Sequence, residues 1–191
     1  MLNEIISDAV LHSLIRQTCD ENEVFIDIDN SLLSGGCLSD DNIIIIKLDA
    51  YYNSKQMHNP PPSPNCLIVL RCKDGTYNVY IIELRHCNGA KRVKLKDIRQ
   101  KFETAIFDFV GSKYSHIFSH HKYKIKSVFL WLVADPFCTS GLSKDVFEKK
   151  VKGTVYDTYL SMRPLPVLGR LELILPKFPN QSDPYPKISP C

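Results

Sequence analysis

Two short motifs, eighteen positions apart, hold residue types that could do chemistry together. Pro64-Asn65 precedes an apolar run, and Glu83-Leu84-Arg85 ends the next one. An acidic side chain, an amide oxygen and a cation are the groups that phosphodiester hydrolysis uses. Oxygen ligands hold Mg²⁺ near the scissile phosphate, and a cation stabilises the transition state. The two motifs must therefore meet in the fold if they are to act on one phosphate.

A β-hairpin is predicted to bring the two motifs together. Strands over 66–72 and 76–85 are joined by Lys73-Asp74-Gly75. A three-residue connection with Gly in the left-handed position is typical of a type I turn followed by a bulge. In that register the numbers of paired residues sum to 148, so Asn65 lies opposite Glu83. Because strand side chains alternate, the residue two positions after Glu83 shares its face.

The remaining elements are predicted from hydrophobic periodicity. Apolar residues at helical spacing predict helices over 2–15 and 95–110, the second ending at Gly111, and a third helix over 145–161. Apolar and β-branched runs predict strands over 25–28, 43–48, 127–134 and 170–175. The loop 51–64 and the tail from Pro176 are rich in proline and are predicted to be irregular.

This element order predicts the fold class and the domain organisation. Helix, three strands, helix and strand indicate an α/β (α+β) fold with a mixed central sheet flanked by helices. A length of 191 residues predicts one domain, 1–191, with a core over about 2–134 and an extension over 135–191. Apolar residues at 44% and charged residues at 24% exclude a disordered or fibrous chain.

Charge is segregated along the chain. Residues 1–50 carry ten acidic and two basic side chains, a sum of −8, so the other 141 residues sum to +11 within the net +3. The segment 85–101 holds seven basic residues and one acidic residue. The outer face of the second helix is predicted to carry Lys94, Arg99, Gln100 and Lys101. Such segregation indicates a polyanionic partner, although a charge run is also typical of a solvated face.

The motif spacing and the strand order resemble the PD-(D/E)xK nuclease superfamily, which includes many restriction endonuclease subunits. The resemblance covers about 2–134 and implies a restriction-endonuclease-like αβββαβ core. The superfamily pattern is Pro-Asp, a variable gap, then Glu-x-Lys; here Asn65 and Arg85 replace the Asp and the Lys. An amide oxygen brings no charge to Mg²⁺, and arginine cannot release its proton near neutral pH. Either the site is naturally degenerate, or Asn65 is an introduced inactivating change.

The resemblance implies a Mg²⁺-dependent DNA endonuclease, similar to a small type II restriction enzyme or to one subunit of a heterodimeric one. Glu83 would be the main metal ligand, Asn65 the second and Asp49 an added carboxylate, with Glu4 a further candidate and Mn²⁺ a substitute ion. Arg85 would be the transition-state cation. The DNA phosphates would be held by Lys91, Arg92, Lys94, Lys96, Lys122 and Lys124. Cutting both strands of a duplex would need a homodimer or a heterodimer.

Two other interpretations are open. The same fold with an inactive site would be a subunit that binds nucleic acid or a protein partner. Alternatively, the fold is not nuclease-like and the protein is an α/β interaction protein.

The cysteines and the absence of a long apolar segment bear on the compartment. The seven cysteines include no Cys-x-x-Cys pair, which a zinc knuckle or a redox motif would need. The longest apolar run, 127–134, is too short to cross a bilayer, and the first residues do not have the pattern of a signal peptide. The sequence therefore predicts a cytoplasmic protein without a membrane span, with reduced and mostly buried thiols.

Overall fold

The structure is a computed structural model that describes residues 1–54, 58–86, 94–118, 122–134, 142–143, 145–146, 149, 162–177 and 185–191. The described helices are α1 (Leu2–Ser7), α2 (Ala9–Ser13), α3 (Leu48–Ser54), α4 (Leu95–Glu103) and α5 (Ser115–Phe118), with a 3₁₀ turn at Asn30–Leu32 and a π-helix at Thr104–Lys113. The described strands are β1 (Ile15–Arg16), β2 (Asp20–Glu21), β3 (Val24–Phe25), β4 (Asp27–Ile28), β5 (Leu33–Ser34), β6 (Cys37–Leu38), β7 (Ile43–Lys47), β8 (Cys66–Arg71), β9 (Tyr77–Arg85), β10 (Ile125–Ala134), β11 (Leu165–Val167), β12 (Arg170–Glu172), β13 (Ile174–Lys177) and β14 (Lys187–Ile188).

A mixed six-stranded sheet forms the centre of the fold, in the order β1-β7-β8-β9-β10-β13. Neighbours from β1 to β9 are antiparallel, whereas β10 runs parallel to β9 and β13 parallel to β10. Parallel neighbours need a long crossover, and α4, the π-helix and α5 lie in the crossover between β9 and β10. The predicted α/β class with a mixed central sheet is confirmed.

Both faces of the sheet are covered by apolar packing. The helices pack on one face, where Ile5, Tyr52, Phe102 and Phe109 join the odd-numbered residues of β8 and β9 in one buried cluster. The other face is covered by parts of the segment 19–38 and by Ile188 of the tail. Because both faces are buried, the central strands are apolar along most of their length rather than alternating.

The predicted hairpin register is confirmed. The Cys72 N–H donates to Thr76 O at 2.8 Å, and Gly75 has φ +79°, the left-handed conformation that the turn requires. Cys66 pairs with Ile82, and the other β8–β9 pairs keep the same sum of 148. The turn residues therefore fix which positions of the two strands face each other.

The first predicted helix, 2–15, is wrong in its extent. Asp8 has extended backbone (φ −78°, ψ 117°) and ends α1. Its carboxylate accepts hydrogen bonds from the N–H groups of Val10 and Leu11 at 2.9 Å each, which caps α2. Apolar spacing continues across this break, so periodicity alone reads two short helices as one.

The second predicted helix does not end at Gly111. The chain continues from α4 into a π-helix that runs through Gly111 to Lys113. A Cβ atom at position 111 would lie 2.8 Å from the carbonyl oxygen of Ile106, five residues earlier, so the wider π turn requires glycine there. Gly111 therefore allows close backbone packing within the π-helix and does not end the helix.

Four further expectations differ from the structure. The strand predicted over 25–28 is divided between β3, which pairs with β2, and β4. Helix α3 begins at Leu48 and extends into the predicted loop from residue 51. The strand predicted over 170–175 is divided between β12, which pairs with β11, and β13, which joins the sheet. The predicted irregular tail contains β14, which pairs with β4. Most of the helix predicted over 145–161 lies outside the described residues.

Four cysteines are paired, so the prediction of reduced thiols is wrong for them. Disulfides join Cys19 to Cys66 and Cys72 to Cys191, and Cys37 is free and exposed. Both bonds attach to β8, one at its first residue and one directly after its last. Periodicity locates buried cysteines, but it cannot give their partners.

We expect peptide mapping without reductant to recover these two linkages. Digestion of air-oxidised protein, followed by mass spectrometry, should yield one peptide pair that contains Cys19 and Cys66 and another that contains Cys72 and Cys191. A reduced aliquot of the same digest is the control and should yield the four peptides separately. Recovery of all four as unlinked peptides from the oxidised sample would contradict the pairing.

No described helix has the length and the apolar character needed to cross a membrane.

Candidate functional site

The candidate site is centred on Glu83, near the end of β9 on the face covered by the helices. Glu83 is 0% exposed. Lys101 Nζ donates to both carboxylate oxygens, at 2.8 Å to Oε1 and 3.0 Å to Oε2. Arg85 Nε lies 2.7 Å from Oε1, but its N–H has no aligned acceptor, so this contact is an ion pair. Two cations therefore compensate one buried carboxylate.

Opposing effects act on the protonation of Glu83. Burial raises the pKa of the Glu83 carboxyl above its ordinary value, because a low-dielectric environment disfavours the charged form. Lys101 and then Arg85 oppose this rise, whereas the negative charge of Glu21 adds to it. The net pKa is raised, so the charge of Glu83 depends strongly on its two cationic neighbours.

Lys101 is a site residue that the sequence analysis placed on the outer face of the second helix. The structure corrects this prediction, because Lys101 lies beside the buried residues Ile98 and Phe102 of α4 and turns towards Glu83. Arg99 does face outward, where it contacts Glu103 and the carbonyl oxygen of Arg163 at 2.8 Å each. The rotation of α4 about its own axis decides whether Lys101 faces the sheet or the solvent. The pattern of apolar residues does not define that rotation closely enough.

Asn65 directly precedes β8 and is 4% exposed. Extension of the β8–β9 register places it opposite Glu83. Its Oδ1 accepts from the Leu84 N–H at 2.7 Å, and its Nδ2 donates to Glu21 Oε2 in a short hydrogen bond. Both ends of the amide are therefore engaged, and only the nitrogen can donate to a carboxylate, which fixes the amide orientation.

Glu21 is a second residue that the sequence analysis missed. It lies in β2, 44 positions before Asn65, and no local motif marks it. The disulfide between Cys19 and Cys66 joins the chain two residues before Glu21 to the residue after Asn65. Knowledge of this disulfide would have indicated that Glu21 lies near Asn65, but the sequence alone does not give the pairing of the cysteines.

The two other acidic candidates have different roles. Asp49 lies at the same end of the sheet, because the Leu48 N–H donates to Asn65 O at 2.8 Å. Asp49 is in the first turn of α3, where its carboxylate accepts from the Ala50 N–H at 2.7 Å and lies 3.7 Å from Lys47 Nζ. Glu4 instead lies 3.5 Å from Lys122 Nζ.

This set of oxygen donors does not fit a divalent cation. Both oxygens of Glu83 are held by cations, and the uncharged oxygen of Asn65 already accepts a hydrogen bond. Across the described ranges, no three His, Cys, Asp or Glu side chains are placed to hold a metal ion. The Mg²⁺ site of Asn65, Glu83 and Asp49 stays a prediction, and it would require Lys101 or Arg85 to leave Glu83.

The predicted phosphate-binding residues are divided between two ends of the sheet. Lys94 and Lys96 are exposed at the start of α4, roughly two helical turns before Lys101. Lys124 is instead at the start of β9, where its carbonyl oxygen accepts from the Tyr77 N–H at 3.0 Å, and Lys122 pairs with Glu4. Six residues of β9 separate this end from Glu83, roughly 20 Å. Lys91 and Arg92 lie outside the described residues.

Comparisons with protein-family models, with curated proteins and with solved structures found no match.

Proposed function

We propose that this chain is a nuclease-fold protein that binds nucleic acid through the basic segment 85–101 and whose hydrolytic site is inactive. One observation carries the proposal. The first and last residues of that segment, Arg85 and Lys101, both contact the buried carboxylate of Glu83. A cation-rich segment is thereby attached at both ends to the position that the motif assigns to phosphodiester chemistry.

The charge of this segment supports binding to a polyanion. Lys94 and Lys96 are exposed. The segment has seven basic residues and one acidic residue, Asp97. Lysine and arginine contacts to phosphates release counterions, which gives affinity without selecting a base sequence. Such binding suits a subunit whose specificity comes from elsewhere.

The chemistry of the site supports the absence of hydrolysis. A hard cation favours charged oxygens, and Asn65 supplies an amide where the superfamily has a carboxylate. Arg85 cannot exchange a proton near neutral pH, and Lys101 is engaged by Glu83. The groups that remain can position a phosphate, but they do not supply an activated water.

A second candidate function is the Mg²⁺-dependent DNA endonuclease, with double-stranded DNA as substrate and a dimer as the active form. The convergence of a buried carboxylate, two cations and Asn65 at one sheet end favours it. A plasmid-cleavage assay with Mg²⁺ or Mn²⁺ separates the two candidates. Cleavage that is lost in Glu83→Ala would establish the endonuclease, and an intact plasmid supports the inactive site.

The intracellular location stays a prediction. The two disulfides weigh against it, because such bonds persist mainly in oxidising compartments.

Charge reversal tests nucleic-acid binding through the basic segment. Lys94→Glu/Lys96→Glu should weaken binding to a short DNA duplex by about tenfold or more. It should also lower the slope of log affinity against log salt by about 0.9 for each phosphate that the protein no longer neutralises. Fluorescence anisotropy over a salt series measures both quantities.

A matched control distinguishes this surface from net charge. Lys73→Glu/Lys126→Glu makes the same charge change at two exposed positions at the other end of the sheet, outside the predicted phosphate-binding residues. We expect its effect to be about twofold or less at physiological salt, because charges beyond a Debye length are largely screened. Equal losses in the two double variants would contradict binding through the segment 85–101.

A further inference from the structure

A short acidic hairpin lies against the candidate site. It spans 20–25, where β2 pairs with β3 and Asn22 makes the turn with φ +55°. Its acidic side chains are Asp20, Glu21 and Glu23. Two strands of two residues each are too short to be stable alone, so contacts with the rest of the chain must hold the hairpin in place.

Those contacts come from three directions. At its base, Cys19 is bonded to Cys66. Lys47 Nζ donates to Asp20 O at 3.0 Å. In the turn, Glu23 O accepts from the Tyr185 hydroxyl at 2.9 Å, and on the second strand the ring of Phe25 stacks on that of Tyr185 with centroids 3.9 Å apart. The acidic hairpin is thus fixed in position by parts of the chain that are distant in sequence.

The carboxylates of the acidic hairpin face the groups that a phosphate would approach. Glu21 accepts the hydrogen bond from Asn65 Nδ2. Glu23 Oε2 lies 4.0 Å from Nδ1 of His86, the residue after Arg85. Glu21 is close enough to Glu83 for its charge to disfavour ionisation of that buried carboxyl. Two negative groups therefore stand beside the start of the basic segment 85–101.

We propose that the acidic hairpin is an autoinhibitory contact that competes with nucleic-acid phosphates for the Asn65–Arg85 end of the site. This inference rests on the proposed function. A phosphate that reaches Asn65 must displace Glu21, and one that reaches His86 must displace Glu23 or bind beside its like charge. Displacement of the hairpin, or loss of its charge, therefore raises the affinity for nucleic acid. The opposite charges of residues 1–50 and of the rest of the chain fit this arrangement.

Glutamine substitution removes the charge and keeps the shape. In Glu21→Gln/Glu23→Gln, the side-chain carbonyl at position 21 can still accept from Asn65, so the hairpin should stay folded. Each of the two charges repels a phosphate bound within a few ångströms, and the substitution removes both repulsions. We therefore expect the dissociation constant for a short DNA duplex to fall by about tenfold or more.

Asp40→Asn/Asp41→Asn is the matched control. Both residues are exposed, and they precede Asn42, whose carbonyl oxygen accepts from the Arg71 N–H at 2.7 Å. This contact places them at the far end of β8, roughly 20 Å from Asn65. The same change of two charges there should alter the dissociation constant by about twofold or less, because salt screens charges at that distance.

Release of the hairpin at its base gives a second measurement. Cys19→Ser/Cys66→Ser removes the bond that fixes the hairpin and should also tighten binding. If circular dichroism shows that this variant is unfolded, the result for Glu21→Gln/Glu23→Gln alone tests the autoinhibitory contact.

The outcomes separate the two proposals. Tighter binding by Glu21→Gln/Glu23→Gln than by the control supports the autoinhibitory contact. Binding by the unsubstituted chain that the glutamine pair leaves unchanged, or that both pairs tighten equally, overturns the contact and leaves the proposed function standing. Absence of binding in every protein, even at low salt, overturns both.

Discussion

Replacement of Lys101 with methionine should lower the free energy of unfolding by about 3–5 kcal/mol at neutral to mildly alkaline pH, the usual cost of removing one partner of a buried ion pair. Glu83 has no exposed surface, and Lys101 is the only described residue that hydrogen-bonds both of its oxygens. Methionine keeps most of the side-chain volume, so the loss reports the charge. Urea denaturation followed by circular dichroism measures it.

The loss should shrink in acid. Because the folded-state pKa of Glu83 is raised, the stability linked to this group is fully present below about pH 4 and is lost as the pH rises through the folded-state pKa. Lys101 is the largest influence that opposes the rise, so its removal extends this pH-dependent loss to higher pH. The variant should therefore differ least from the unsubstituted chain near pH 4 and most above neutrality.

Lys96→Met is the control for this prediction. Lys96 is exposed in the same helix, and its replacement should change the free energy of unfolding by no more than about 0.5 kcal/mol. A Lys101→Met loss that is independent of pH, or no larger than that of the control, would show that the ion pair with Glu83 contributes little.

Replacement of Asn65 with aspartate should make the stability of the protein depend on Mg²⁺. An aspartate can still accept from the Leu84 N–H, but it cannot donate to Glu21, so two carboxylates meet at hydrogen-bonding distance. Repulsion between unit charges 4 Å apart is about 4 kcal/mol at an effective dielectric of 20, and we expect a loss of that order in chelator. The two carboxylates at positions 21 and 65, facing each other in place of the former hydrogen bond, are charged oxygen ligands of the kind that a hard cation prefers. Mg²⁺ at a hundredfold excess over its dissociation constant would raise the free energy of unfolding by about 2.7 kcal/mol.

Thermal melts in chelator and in Mg²⁺ measure this effect for Asn65→Asp and for Glu21→Gln/Asn65→Asp. The double variant should be the more stable of the two in chelator and should gain less from Mg²⁺, because it lacks one carboxylate. Plasmid cleavage that appears in Asn65→Asp, but neither in the unsubstituted chain nor in Arg85→Lys, would show that the missing charge at position 65 prevents hydrolysis. An Asn65→Asp protein that melts at the same temperature with and without Mg²⁺ would refute the predicted metal dependence.

The sequence predicted those parts of the site that local chemistry decides. The turn at Gly75 sets the register, and the register alone places Asn65 opposite Glu83. Lys101 was misplaced because its position depends on how α4 is rotated against the sheet, a matter of packing. Glu21 was missed because a disulfide brings it to Asn65, and pairing cannot be deduced from cysteine positions.

The limits of the helices were poorly predicted for a similar reason. The apolar spacing is continuous across Asp8 and across Gly111, so it carries no sign of a break or of a change in helix type. Those features depend on the side-chain cap that Asp8 makes and on the close approach of Gly111 to Ile106.

The two disulfides at the ends of β8 also provide a short covalent path for mechanical force between the two ends of the chain. Tension applied between residues 1 and 191 would pass from Cys19 to Cys66, along β8, and from Cys72 to Cys191. The intervening segments 20–65 and 73–190, which contain Glu21, Glu83 and Lys101, lie outside this load path. While both bonds are intact, only the segment before Cys19 and strand β8 can extend under tension. The residues of the candidate site therefore carry no direct tension.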